Sequence, residues 1–247
     1  MKKQLYEHIQ NYNLDFKKPQ RQSGSRPQTP REIFSAQGGS ASGGKEGQTK
    51  NWPEKEIGKI CKVNPAKDIK NLNKDEEVTF IPMRAVDEYD QEIKTPEIRK
   101  IKEVENGYTY FGENDVLFAK ITPCMENGKV AIARNLKNMI GFGTTEFHVI
   151  RVLSDVLPEW IYQIIRQPKF REEAKNHMTG STGQKRVPKD FIEKYKIPVP
   201  TLAEQKKIVG RLDALSAKIR QAVELQKSQL EDFKKLEKSY LREALSG

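Results

Sequence analysis

Residues 201–247 read TLAEQKKIVGRLDALSAKIRQAVELQKSQLEDFKKLEKSYLREALSG, and this stretch decides the architecture. Thr201-Leu202-Ala203-Glu204 has the form of a capping box, in which the hydroxyl accepts from the N3 amide and the glutamate reaches back to the N-cap amide. Behind it the apolar positions Ile208, Leu212, Leu215, Ile219 and Ala222 step by 4, 3, 4 and 3, and after Gln226 the stripe resumes at Leu230, Phe233, Leu236 and Tyr240. From Gln205 to Leu245 there is no proline and a single glycine, Gly210, which costs about 1 kcal/mol against alanine. The spacing predicts one continuous helix. At 1.5 Å per residue its 41 positions run roughly 60 Å. A helix that long outreaches the domain before it, so its far half needs a partner helix to cover the stripe. The chain is expected to be an oligomer or part of a complex.

Upstream, the texture is of short strand-like runs rich in β-branched and aromatic residues: VTFIPM (78–83), VLFAKI (116–121), KVAIA (129–133) and EFHVIRV (146–152). Gly112–Asp115 and Glu126–Gly128 supply turns, and the second holds an Asn-Gly pair suited to a hairpin. Helices follow. Pro158 opens EWIYQIIR, with Trp160, Ile161, Ile164 and Ile165 on one face, and Pro168 starts a second helix running to about His177. A polar loop, Thr179–Arg186, leads through Val187-Pro188 to a short helical turn at Lys189–Lys194. The fold class is α+β, a globular domain over residues 51–200 followed by a long coiled-coil-forming helix over 201–247. Residues 1–50 read as an N-terminal tail or flexible linker. The stretch 19–50 is rich in Gly, Ser, Gln and Pro, with Ile33 and Phe34 its only large apolar residues, and buries too little to offset the entropy of ordering it. Before it, Leu5, Tyr6, Ile9, Tyr12, Leu14 and Phe16 suit a short docking helix.

Lysine and arginine number 44 against 34 acidic residues, a net charge of +10. With 32% charged residues and a mean hydropathy of −0.77, no run approaches the ~18 apolar residues of a membrane span. MKKQLYEHIQ lacks the apolar core of a secretory signal, so a cytoplasmic location is expected. Cys61 and Cys124 form no CxxC, which favours neither a disulfide framework nor a zinc site. Of the net charge, five units lie in residues 1–50, three in 201–247 and only two in 51–200. Any basic face on the domain is therefore local. It is densest between Lys120 and Lys189, with 12 basic and 6 acidic residues, after the acidic stretch Asp87–Glu92.

Nucleotide and catalytic motifs fail on inspection. Gly39–Lys45 has phosphate-loop spacing, but Glu46 replaces the Ser or Thr that would hold magnesium, and no strand precedes it. Gly141-Phe142-Gly143 starts like a dinucleotide fingerprint, but Glu146 stands at the third glycine position, and a turn before a strand is the better reading. Asn64-Pro65-Ala66-Lys67 lacks the second proline and the aromatic residue of the amino-methyltransferase motif. His8, His148 and His177 have no ligand spacing, no serine sits in G-x-S-x-G, and nothing in the sequence brings Glu126 and Glu146 together as acid and base. Binding is better supported. Lys120-Ile-Thr122, Asn127-Gly-Lys129, Thr144-Thr145 and Ser181–Arg186 mix cations with hydrogen-bonding side chains, the composition that holds phosphates and reads base edges. Thr144, Thr145 and Glu146 equally read as residues that only shape a turn.

Four strings in order, NDVLFAKITPCMENGKVAI (114–132), GTTEFHVIR (143–151), TGSTGQKRVP (179–188) and IPVPTLAEQKKIVGRLD (197–213), resemble the specificity subunits of Type I restriction-modification systems. That resemblance covers roughly residues 52–247 and implies a DNA target-recognition domain followed by a spacer helix, without catalytic residues. It implies double-stranded DNA as ligand, methyltransferase subunits that use S-adenosylmethionine, and motor or nuclease subunits that use ATP and magnesium, with no cofactor and no metal on this chain. Lys120, Lys129, Lys185 and Arg186 are the expected phosphate or base contacts, with Thr122, Thr144, Thr145, Ser181, Thr182 and Gln184 as polar readers. The helix from Thr201 would hold the partners. Typical members have two recognition domains and two helices in one chain, whereas this one has one of each. It is then either a half-subunit pairing with a copy of itself or a truncated chain. In the first case two antiparallel helices bury each other's stripes, and two identical domains read an inverted repeat with a gap. The competing expectations are a coiled-coil scaffold whose domain binds a protein ligand, and a nuclease or methyltransferase acting alone.

Overall fold

The structure is a computed structural model and describes residues 52–69, 72–88, 93–153, 155–181 and 183–245; the expected tail and Thr182 lie outside the described residues. The domain opens with β1 (Glu54–Glu56), α1 (Ile57–Ile60) and β2 (Cys61–Val63). There follow β3 (Glu77–Ile81), β4 (Glu97–Lys100), α2 (Ile101–Val104), β5 (Thr109–Gly112), β6 (Val116–Ala119), β7 (Val130–Ile132), β8 (Ile140–Gly143) and β9 (Phe147–Val152). The helical part comprises α3 (Pro158–Ile165), α4 (Pro168–Asn176) and α5 (Lys189–Lys194), then β10 (Lys196–Pro198) and the long α6 (Leu202–Leu245). This is the α+β domain with a long C-terminal helix that the sequence leads one to expect.

Two four-stranded sheets form its centre, one antiparallel in the order β2-β9-β6-β7, the other β4-β3-β8-β5 with β3 and β8 parallel. Side chains alternate across a strand, and here both faces are covered, so the strands read as unbroken apolar runs. In β6, Val116 and Phe118 join Ile161, Ile165, Phe170 and Ile192 under the helices, while Leu117 and Ala119 face the second sheet beside Ile81, Phe111 and Phe147. The outer face of the second sheet buries Val78, Phe80, Tyr110 and Phe142 against Ile101 and Val104 of α2. Each such large side chain contributes about 1.5–3 kcal/mol on burial.

Gly141-Phe142-Gly143 is strand β8 inside the second sheet, not a turn before a strand. The glycines make room for the Phe111 ring: a Cβ on Gly141 would lie 1.9 Å from Phe111 Cε2, and one on Gly143 would lie 2.7 Å from the Ile81 carbonyl oxygen. The Asn127-Gly128 pair closes the long loop 120–129 between β6 and β7 rather than a two-residue turn, with Gly128 at φ +79°. At the opposite end of the sheets, the turn at Gly112–Asp115 forms as expected. The buried Asp115 carboxylate accepts from the Gly112 amide at 2.7 Å and from Arg151 Nε and Nη2 at 2.8 and 2.7 Å.

At the start of helix α6 the Thr201 hydroxyl accepts from the Glu204 amide, the first half of the expected capping box, and donates to the Glu204 carboxylate, both at 3.4 Å. Gln205 and Val209 are buried against the body, whereas Leu215, Leu230, Phe233, Leu236 and Tyr240 are each at least 50% exposed. Leu212 is 37% exposed and Ile219 is half-buried, whereas Ile208, expected at the start of the stripe that a partner helix covers, is half-buried against the domain's own core. Among the described residues no helix is long and apolar enough to cross a membrane.

Candidate nucleic-acid interface

Ala119 ends β6 opposite Phe147, which begins β9, and Ile81 ends β3 beside Gly143, which ends β8. Three connections therefore leave the two sheets at one end, the segment after β3, the loop 120–129 and the link 144–146, and the loop 179–187, which joins α4 to α5, packs beside them. Backbone hydrogen bonds stitch the last three together. The Lys120 amide donates to the Glu146 carbonyl at 2.9 Å, the Thr122 amide to the Lys185 carbonyl at 3.0 Å, and the Val187 amide to the Lys120 carbonyl at 2.9 Å. Ile121 bridges Arg186 in antiparallel fashion, and so does Thr179.

The loop 179–187 is a narrow hairpin closed by the Thr179–Arg186 pair, with amide-to-carbonyl distances of 3.0 and 2.8 Å. Gly180 and Gly183 take φ of +119° and +79°, the left-handed region in which glycine carries no penalty. A Cβ on Gly180 would also lie 2.9 Å from the Gln184 carbonyl oxygen. The hairpin tip leaves Ser181, Gln184 and Lys185 exposed.

Arg186 is used differently. Its Nε and Nη2 donate to the two carboxylate oxygens of Glu146 at 2.9 and 2.7 Å, and its Nη1 donates to the Gln184 carbonyl at 2.9 Å. This bidentate pair fixes the hairpin to the 144–146 link. Arg186 holds the Glu146 carboxyl below the usual carboxylate range, and burial lowers the Lys120 ammonium below the usual lysine value, partly offset by Glu146. Thr144 accepts from the Glu146 amide at 3.3 Å, so it shapes this link, while Thr145 is exposed. Thr122 donates to Met178 Sδ at 3.7 Å.

Lys129 faces inward. Its ammonium donates to the Met83 and Val86 carbonyls at 3.3 and 3.0 Å, which fastens the segment after β3 to the loop 120–129. Asn127 Nδ2 donates to Glu88 Oε1 at 2.8 Å and strengthens the same seam. The structure thus brings Lys120, Thr122, Thr144, Thr145, Ser181, Gln184, Lys185 and Arg186 onto one surface, with Lys129 at its edge and committed to backbone carbonyls.

Two supports were not read from the sequence. His148 is buried in β9, and its Nε2 lies 2.8 Å from the Val187 carbonyl oxygen, which can only accept, so the ring proton sits there. Its Nδ1 then accepts from Asn64 Nδ2 at 3.1 Å, while Asn64 Oδ1 accepts from the Val149 amide at 3.0 Å. Burial depresses the His148 pKa to about 4. Arg171 of α4 donates to the Glu126 carbonyl at 2.9 Å and lies against Gly128, backing the loop 120–129 from the helical side. Chance spacing hid both, because each partner is more than 35 residues away. Elsewhere, burial drives the Cys61 thiol up to about 12, and Cys61 and Cys124 are both free. Among the described residues no three His, Cys, Asp or Glu side chains gather as a metal site.

Residues 49–231 match the family described as Type I restriction modification DNA specificity domain, a span holding the whole loop cluster and most of α6. Over 165 residues the chain is 41% identical to the type I restriction enzyme EcoAI specificity subunit and 40% identical to the EcoEI specificity subunit, both of Escherichia coli. These matches take 66% of this chain but 28% and 27% of those proteins, so the matched stretch spans less than a third of the curated relatives. In fold, the chain is similar to the HsdS subunit from Thermoanaerobacter tengcongensis, with TM-score 0.60, 21% identity, and coverage of 81% of this chain and 51% of that one. A chain from a structure on the complex assembly and conformational transition of the type I R-M system gives TM-score 0.65 at 21% identity, covering 78% of this chain and 49% of its own. On the extent of the family match and the shared architecture, the chain belongs to the type I restriction-modification specificity subunits, with one recognition domain in its 247 residues.

Proposed function

We propose that this chain is a non-catalytic specificity subunit that binds double-stranded DNA with the surface built from loops 120–129, 144–146 and 179–187. The observation that carries this reading is the stitching of three sequence-distant loops into one cationic, polar surface at a single end of the sheets. Lys120 and Lys185 are suited to phosphates, and Ser181, Gln184 and Thr145 can donate to and accept from base edges. Arg186 and Lys129 mainly hold the surface in shape. Two copies pair antiparallel along α6, burying Leu212, Leu215, Ile219, Leu230, Phe233, Leu236 and Tyr240, and present two identical surfaces to an inverted repeat with a gap. Methyltransferase subunits carrying S-adenosylmethionine face the half-sites, and motor subunits carrying ATP and magnesium join where cleavage follows.

Mobility shifts with random duplexes, using the chain alone and with its modification subunits, test the DNA reading. Retention that weakens steeply with salt is expected. Absence of retention in both arms would contradict it and favour a scaffold with a protein ligand.

A further inference from the structure

We infer that Gln205 is a positioning residue that fixes the angle at which α6 leaves the recognition domain and thereby sets which gap between half-sites is accepted; this rests on the reading of the chain as a DNA-binding dimer. Gln205 is fully buried, and its side-chain amide joins three segments. Its Oε1 accepts from the Leu157 amide at 2.9 Å, while its Nε2 donates to the Asp155 and Pro200 carbonyls at 3.0 and 2.9 Å. The first turn of α6 is thereby tied to the approach to α3 and to the end of β10. That platform is itself braced. Trp160 Nε1 of α3 donates to the Pro198 carbonyl at 3.0 Å, and β10 pairs with β1.

Beyond this turn, the core contacts of α6 come from Ile208 and Val209, and the stripe residues after them are largely exposed. Apolar contacts of that kind are non-directional. Three hydrogen bonds to fixed backbone groups are directional, and they constrain tilt and rotation together. The lever is long. At 44 residues α6 extends about 66 Å, and one base pair advances a half-site by about 3.4 Å, so a tilt of roughly 3° at the base moves the far end by one base-pair step. A buried glutamine meets that tolerance where an apolar residue of equal size would pack without fixing direction.

The test begins with the target selected by the wild-type chain with its modification subunits. Duplexes then carry both half-sites at the selected gap or at gaps one and two base pairs longer or shorter, with a single half-site as reference. For the wild type a one-base-pair change is expected to weaken binding on the order of tenfold. Gln205→Met, which keeps volume but removes the amide, and Gln205→Asn, which shortens its reach, are each expected to cut that penalty to about threefold or less. Single-half-site affinity and dimer mass should stay unchanged. A folded variant that keeps the wild-type gap preference would overturn the inference. Loss of fold in both variants, read by circular dichroism, would make Gln205 a stability residue only and would overturn it too. If the wild type selects no bipartite site, the dimeric reading itself fails and the inference falls with it.

Discussion

Lys185 and Arg186 are adjacent in sequence and put their charges to different uses. Lys185 is exposed at the hairpin tip, so replacing it with alanine should weaken binding to all duplexes alike and reduce the salt slope by about one unit, measured by titration across salt concentrations. Arg186 has its guanidinium held by Glu146 and the Gln184 carbonyl. Its loss frees the hairpin from the 144–146 link, so Arg186→Ala should weaken binding to the selected target more than to random DNA, read as the ratio of the two affinities. His148 adds a pH dependence. Its ordinary value of 6.5 falls to about 4 in the fold, so between those values the unfolded chain binds more protons than the folded one. Stability present at neutral pH is therefore lost as pH falls from about 6.5 to about 4, by roughly 3 kcal/mol in all. Urea midpoints at pH 7 and 4.5 should move less in His148→Gln than in the wild type. An equal shift in both would remove His148 as the cause.

Among the elements, β8 answers most directly to substitution. Gly141→Ala drives a methyl group into the Phe111 ring between the two sheets, and denaturant unfolding should show a loss of about 1–3 kcal/mol. The same strand shows why part of the fold is illegible in the sequence. VLFA and FHVIRV announce themselves because both of their faces are buried, whereas IGFG looks like a turn until Phe111 is placed over it. Glu54-Lys55-Glu56 has no apolar alternation and forms a strand only because Lys196–Pro198 returns beside it. The loops of the proposed binding surface stand out in the sequence by composition alone, cations among hydroxyls and amides. Their joining does not, since the contact of Thr122 with Lys185 and the clamp of Glu146 on Arg186 depend on backbone pairing between distant segments. Lys129 illustrates the consequence. As a residue type it suits a phosphate, and only the fold shows its ammonium turned to the Met83 and Val86 carbonyls.

For the whole molecule, the stripe on α6 and the modest charge of the domain point the same way. Only two units of the net +10 belong to residues 51–200, so one recognition surface has little bulk attraction for DNA, and presenting two together multiplies a local one. Light scattering should give a dimer for the intact chain and a monomer for one ending near Pro200. Two monomers at micromolar concentration would remove helix pairing from the account. The central claim, a paired subunit that directs methylation to a gapped inverted repeat, is met most directly by methylome sequencing of cells carrying this chain with its modification subunit. The account predicts methylated adenines in a palindromic motif interrupted by a fixed gap. An asymmetric motif, or no chain-dependent methylation, would contradict it.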